Sequence, residues 1–192
     1  NKNPYFERII AEAAVPFTHK DEINFLMCDA FLEEGAGDIS IVNNGGVRLD
    51  SIAAGNITMR EVLSMDPFNN LAVKMRLTGE EILKLLTTYS RGSLYHLPRV
   101  GGIICEATVD KDDQYKDRLK RIKLTTLDGK EFELDKTYEV VTNSYLSSVC
   151  KSFLNTDYES LHIHTADMLI NYLKKQKVVS PTRIERLKIK EE

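Results

Sequence analysis

The stretch Thr78-Gly79-Glu80-Glu81 marks a change of hydrophobic period, and it constrains the fold more than any other. Before it, Leu71 to Leu77 reads as a strand. After it, Ile82, Leu85, Leu86 and Tyr89 fall on one face of a helix that Arg91-Gly92 ends. Thr-x-x-Glu is a capping box, in which threonine and glutamate side chains satisfy backbone N–H groups that the first helical turn leaves unpaired. A second box, Thr58-Met59-Arg60-Glu61, opens a shorter helix after a loop through Gly55. A third helix starts at Asp21, with Ile23, Leu26, Met27, Ala30 and Phe31 at helical spacing. Its early acids suit the helix N-terminus, and Gly35 and Gly37 stop it. Switching between periods of 2 and 3.6 in this way points to a mixed α+β domain.

The other expected elements follow from the same signals. A short strand is placed around Ala14 to Phe17, and a buried one over Asp38 to Val42. Asp66 to Asn70 is a turn. Strands are expected over Val100 to Val109 and Leu119 to Leu127, with Asp128-Gly129 as a hairpin signal before Phe132 and Leu134. Tyr138 to Val141 is a strand ending in a polar loop, Thr142 to Ser148. A late helix begins at Thr165 and Asp167, and Val178 to Ile189 closes the chain as strand. With no repeat, low-complexity segment or separating linker, residues 1–20 read as a lead-in and 21–192 as one domain. A chain of 192 residues can bury one good core.

Composition removes several function classes. Net charge −3 gives no global pull toward nucleic acid or anionic membrane. No apolar run approaches the roughly 20 residues of a membrane span, and Asn1 to Ile10 lacks the apolar core of a signal peptide. Cys28, Cys105 and Cys150 lie far apart without CxxC spacing, which argues against a zinc knuckle or disulfide framework and for buried free thiols. Of the four histidines only His162 and His164 are neighbours, and His-x-His fits a half-exposed strand. No set of His and Asp ligands suited to a two-metal phosphatase is present. Ser147, Ser148, Cys150 and Lys151 share a loop but form no nucleophile elbow.

The chemistry that remains is a binding constellation. Asn43-Asn44-Gly45-Gly46-Val47-Arg48 follows the apolar strand. One reading is a polar hairpin turn. The other is a ligand loop, in which glycines reach φ > 0 and bring N–H groups close, Asn43 offers an amide and Arg48 a charged fork. Phe68 and Tyr145 stand on separate loops, where two rings can sandwich a planar base.

In these segments the chain resembles the C-terminal, substrate-binding domain of 5′-nucleotidases and their relatives, which include UDP-sugar hydrolases and cyclic-nucleotide phosphodiesterases. The resemblance runs from the Asp21 helix to the end. It rests on Asp38 to Arg48, Gly55-Asn56-Ile57-Thr58, Pro67-Phe68-Asn69-Asn70, Leu77 to Ile82, Val100-Gly101-Gly102-Ile103, Lys136-Thr137-Tyr138 and Thr142-Asn143-Ser144-Tyr145-Leu146, in that order. It implies a layered α/β/β/α arrangement. Phe68 and Tyr145 then take the positions that stack the nucleobase, and Asn43, Gly45, Gly46 and Arg48 those that contact substrate. Three departures stand out. Asn44 replaces a glycine, Val149-Cys150-Lys151-Ser152 replaces Gly-Gly-Asp-Gly, and no arginine lies within Glu33 to Gly37.

The resemblance implies a nucleotide-recognition domain of a hydrolase of phosphate esters in nucleotide catabolism. It binds no cofactor itself and is inactive alone. Its divalent metals, zinc or manganese, belong to a metallophosphoesterase part supplied by a separate partner chain or a missing portion. The implied ligand is a nucleotide or nucleoside, and the implied location is the periplasm or cell envelope. Two alternatives stand beside this: a non-catalytic nucleoside or nucleotide binder, and a degenerate domain kept for protein–protein contact.

Overall fold

The structure, a computed structural model, describes residues 3–192; Asn1 and Lys2, the start of the expected lead-in, lie outside the described residues. In chain order the elements are β1 (Ile9–Ala13), α1 (Lys20–Gly35), β2 (Ile39–Val42), β3 (Gly55–Thr58), α2 (Met59–Met65), β4 (Leu71–Thr78) and α3 (Gly79–Ser90). There follow β5 (Arg99–Gly101), β6 (Ile103–Val109), β7 (Leu119–Thr126), β8 (Thr137–Asn143) and α4 (Ser144–Cys150). β9 (Tyr158–His164), α5 (Thr165–Gln176), β10 (Val178–Val179) and β11 (Leu187–Glu191) complete the chain. A short 3-10 turn, Asn44–Gly46, follows β2.

A five-stranded mixed sheet in the order β5-β2-β8-β4-β9 forms the centre. Its strands send alternate residues to opposite faces. Val42, Ala72 and Val141 join the core made with α1, α2 and α5. Ile39, Ile41, Met75, Leu77 and Val140 join a second core with α3, β6 and β7. Two three-stranded sheets, β11-β6-β7 and β10-β1-β3, flank this centre. The α+β class read from the sequence is what the structure shows.

The helix starts are held by the side chains that the sequence offered. In both predicted boxes, Glu61 accepts the N–H of Thr58 at 2.7 Å and Glu81 that of Thr78 at 2.8 Å. A third box, which the sequence reading missed, joins His19 to Glu22 at the start of α1.

Several element assignments are corrected. The first strand is Ile9–Ala13, not Ala14 to Phe17, because Glu12 and Ala13 pair with β10 whereas Pro16 lacks the N–H a ladder needs. Thus β1 lies within residues 1–20, and its Ile10, Ala11 and Ala13 are buried in the first core. Gly55, read as loop, begins β3. The run Val100 to Val109 breaks at Gly102, whose φ of +82° turns the chain from β5 in one sheet to β6 in another. Likewise Val178 to Ile189 divides between β10 and β11, which belong to different sheets. After Asp128-Gly129 only one bridge forms, Thr125 with Glu131, while Phe132 folds inward and stacks on Tyr138 at 4.8 Å.

Candidate ligand-binding site

The topology gathers the candidate residues at one end of the central sheet. β2 and β8 are parallel neighbours and both end there, while β4, antiparallel to β8, begins there with Ala72 opposite Asn143. The segments after β2, before β4 and after β8 therefore converge. Between them lies a cavity of about 470 Å³ that Asn43, Gly45, Gly46, Arg48, Phe68 and Tyr145 all line. Residues named from three separated stretches of sequence thus share one hollow.

The Asn43–Gly46 turn makes the floor. It is neither a hairpin nor the left-handed loop expected: β2 does not pair with the segment that follows, and neither Gly45 nor Gly46 has positive φ. Its glycines matter for closeness instead. A Cβ on Gly46 would lie 2.9 Å from the Asn43 side-chain oxygen, whereas Gly45 has nothing within 4 Å on that side. Asn43 itself is buried, and its Oδ1 accepts from Asn143 Nδ2 at 2.9 Å. That oxygen is therefore taken by its neighbour, although Asn43 still lines the cavity.

Asn143 also caps the helix bearing Tyr145. Its Oδ1 accepts the Leu146 N–H at 2.8 Å, so one buried amide fixes both floor and wall. The sequence reading took Thr142 to Ser148 as a polar loop; it is the end of β8 and the start of α4. An asparagine before Ser144-Tyr145-Leu146 was the available signal.

The opposite wall is the Asp66–Asn70 turn. Buried Asp66 accepts from the Thr165 hydroxyl and from the backbone N–H of Phe68. Burial raises the Asp66 carboxyl above its ordinary range, against the lowering effect of those two bonds and of nearby His164. Asn70 accepts the Thr165 N–H at 2.9 Å, and the Ser144 hydroxyl at 3.4 Å through its Oδ1. The turn is thus tied to α5 and α4, and it leaves the Phe68 ring 43% exposed. Arg48 lies over this ring with its guanidinium carbon 5.2 Å from the centroid. Tyr145, 51% exposed, contacts Tyr89 of α3; burial first, then Tyr145, pushes the Tyr89 phenol up.

Two half-exposed rings, one of them with a guanidinium over it, together with the backbone of the turn can hold a planar, oxygen-bearing molecule. They offer no nucleophile. The Ser147 and Ser148 hydroxyls donate to carbonyls of Ser144 and Tyr145 in their own helix, and Cys150 is buried. Among the described residues no group of three His, Cys, Asp or Glu side chains could hold a metal. His162 and His164 lie on β9, as the half-exposed strand reading expected. Burial holds the Cys28, Cys105 and Cys150 thiols up at about 12, and all three are free. Tyr89, Tyr95 and His96 also line the cavity but were not singled out from sequence; Tyr89 shares the apolar spacing of α3, which masked it.

Comparison with known proteins gives the family and the fold. The chain is 28% identical over 159 residues to a 5′-nucleotidase of Vibrio parahaemolyticus, covering 77% of this chain and 26% of that protein. It is 27% identical over 173 residues to cell wall protein Lmo0130 of Listeria monocytogenes, covering 82% and 22%. It therefore spans roughly a quarter of the length of these relatives. The crystal structure of the 5′-nucleotidase precursor of Thermus thermophilus superposes with a TM-score of 0.79 at 24% identity, over 97% of this chain and 40% of that one. The family described as 5′-nucleotidase, C-terminal domain matches residues 10–156, and the chain belongs to that family.

Proposed function

We propose that the cavity holds a nucleotide or nucleoside, with the base between Phe68 and Tyr145 and the oxygen-rich remainder along the Asn43–Gly46 floor and Arg48. The observation that carries this is the pairing of two half-exposed rings on rigid, separately anchored segments around one hollow. Exposed aromatics tied down by buried hydrogen bonds suit a ligand better than a core. Asn43 acts in this reading mainly as the support of the turn, since its Oδ1 is already bonded to Asn143.

Family membership extends the reading. The chain serves as the recognition part of a 5′-nucleotidase-type hydrolase, contributing position and selectivity to phosphate-ester cleavage. The hydroxide nucleophile and the stabilisation of phosphoryl charge then come from zinc or manganese in a metallophosphoesterase part, whether on a partner chain or on more of the same chain. A place in the cell envelope is part of the same proposal, supported by the cell-wall relative.

The test is thermal denaturation and calorimetry with adenosine, AMP and UMP. Ligand at 100 times its dissociation constant stabilises the fold by about 2.7 kcal/mol. Phe68→Ala and Tyr145→Ala should each remove about 1–3 kcal/mol of binding, the value of one stacked base. No stabilisation by any of the three ligands overturns the proposal.

A further inference from the structure

Tyr95 presents a contradiction that the base clamp does not explain. It is 61% exposed, yet its backbone is fastened at both ends by side chains from distant segments. Its N–H donates to Asp117 Oδ1 at 2.7 Å and its carbonyl accepts from Asn44 Nδ2 at 2.9 Å. Asp117 also accepts from the Ser93 hydroxyl at 2.6 Å and, through its carbonyl, from the Leu94 N–H at 2.7 Å. Asn44 is in turn held by Asn24 of α1, which donates to its Oδ1 at 3.1 Å and is fully buried. Asn24 Oδ1 has no partner, so this polar chain through the interior is not there for cheap stability. Buried polar networks fix a position. What this one fixes is the Tyr95 backbone, whose ring stands edge-on to His96 at 5.2 Å, with both residues lining the cavity.

The attachment of Tyr95 to the glycine turn gives it a role. Tyr95 is tied to Asn44, where the glycine turn begins; Phe68 lies under Arg48, just past where it ends. All of them line the same cavity, so a ligand whose oxygen-rich part extends from Arg48 along the floor toward Asn44 comes to Tyr95.

We propose that Tyr95 and His96 form a second contact surface, taking the sugar–phosphate portion of the ligand, and that Asn44 and Asp117 are positioning residues for it. This rests on the reading that Phe68 and Tyr145 take the base. Tyr95 supplies an apolar face for a sugar ring and a phenol hydroxyl for its oxygens, and His96 a nitrogen for hydroxyl or phosphate.

The test measures dissociation constants for adenine, adenosine and AMP. Tyr95→Ala should weaken adenosine and AMP by about tenfold and leave adenine unchanged. Asp117→Ala, outside the cavity lining, should lower the AMP-to-adenine preference in the same sense, and Asp117→Asn, which keeps an accepting oxygen, should restore it. A merely structural Asp117 would lower the melting temperature without moving that preference. Equal losses on all three ligands, or no change for Tyr95→Ala while Phe68→Ala weakens adenine, overturn this proposal alone. A wild-type protein that takes none of the three overturns it together with the base clamp.

Discussion

At the scale of the residue, Asn143 does the most. Its amide bonds the floor through Asn43 and caps the helix that carries Tyr145. Replacing it by leucine removes the cap, about 1 kcal/mol, and leaves the buried Asn43 oxygen without a donor, a further 1–3 kcal/mol. Chemical denaturation should show a loss of about 2–4 kcal/mol, and nucleotide affinity should fall although Asn143 touches no ligand in the proposed pose. A loss below 1 kcal/mol would mean that water or a neighbour replaces both bonds. Phe68, Tyr145 and Arg48 were legible in the sequence as residue types suited to a ligand. Asn143 was not, because an asparagine's partners depend on which strands lie side by side, and one of its two bonds spans 100 positions of chain.

At the scale of the element, local rules worked wherever one turn of chain carries the information. The capping boxes at Thr58 and Thr78 set the starts of α2 and α3, and Asp128-Gly129 turns the chain. They failed where sheets divide. Nothing in Val100 to Val109 except Gly102 announces that β5 and β6 belong to different sheets, and α4 is only 7 residues long, too short to show a period. Gly79 offers a check on how elements meet. A side-chain carbon there would strike the Glu133 carbonyl and lie 2.7 Å from the Leu134 Cα. Gly79→Ala should destabilise by about 1–3 kcal/mol through overpacking, despite alanine's better helix propensity. A gain in stability would show that the segment before β8 gives way freely.

Among the described residues three sheets and five α-helices surround two cores, and the three thiols report on that packing. Buried Cys28, Cys105 and Cys150 keep their protons up to about pH 12, above the ordinary thiol range, because burial disfavours the thiolate. The unfolded chain releases those protons first. Their contribution to stability is therefore fully present below the ordinary thiol pKa and lost as pH rises through about 12. Stability should decline above about pH 9, and a thiol-specific dye should label none of the three cysteines in the native protein and all three in denaturant. Rapid labelling of the native protein would contradict the burial of these thiols.

The open side of Gly45 has a use in engineering. Because no atom approaches that position, a methyl there would intrude on the hollow without straining the turn. A graded series at this position (alanine, serine, valine) would act as a gauge of how deeply a guest molecule settles, each step trimming the space available while the surrounding framework stays as it was.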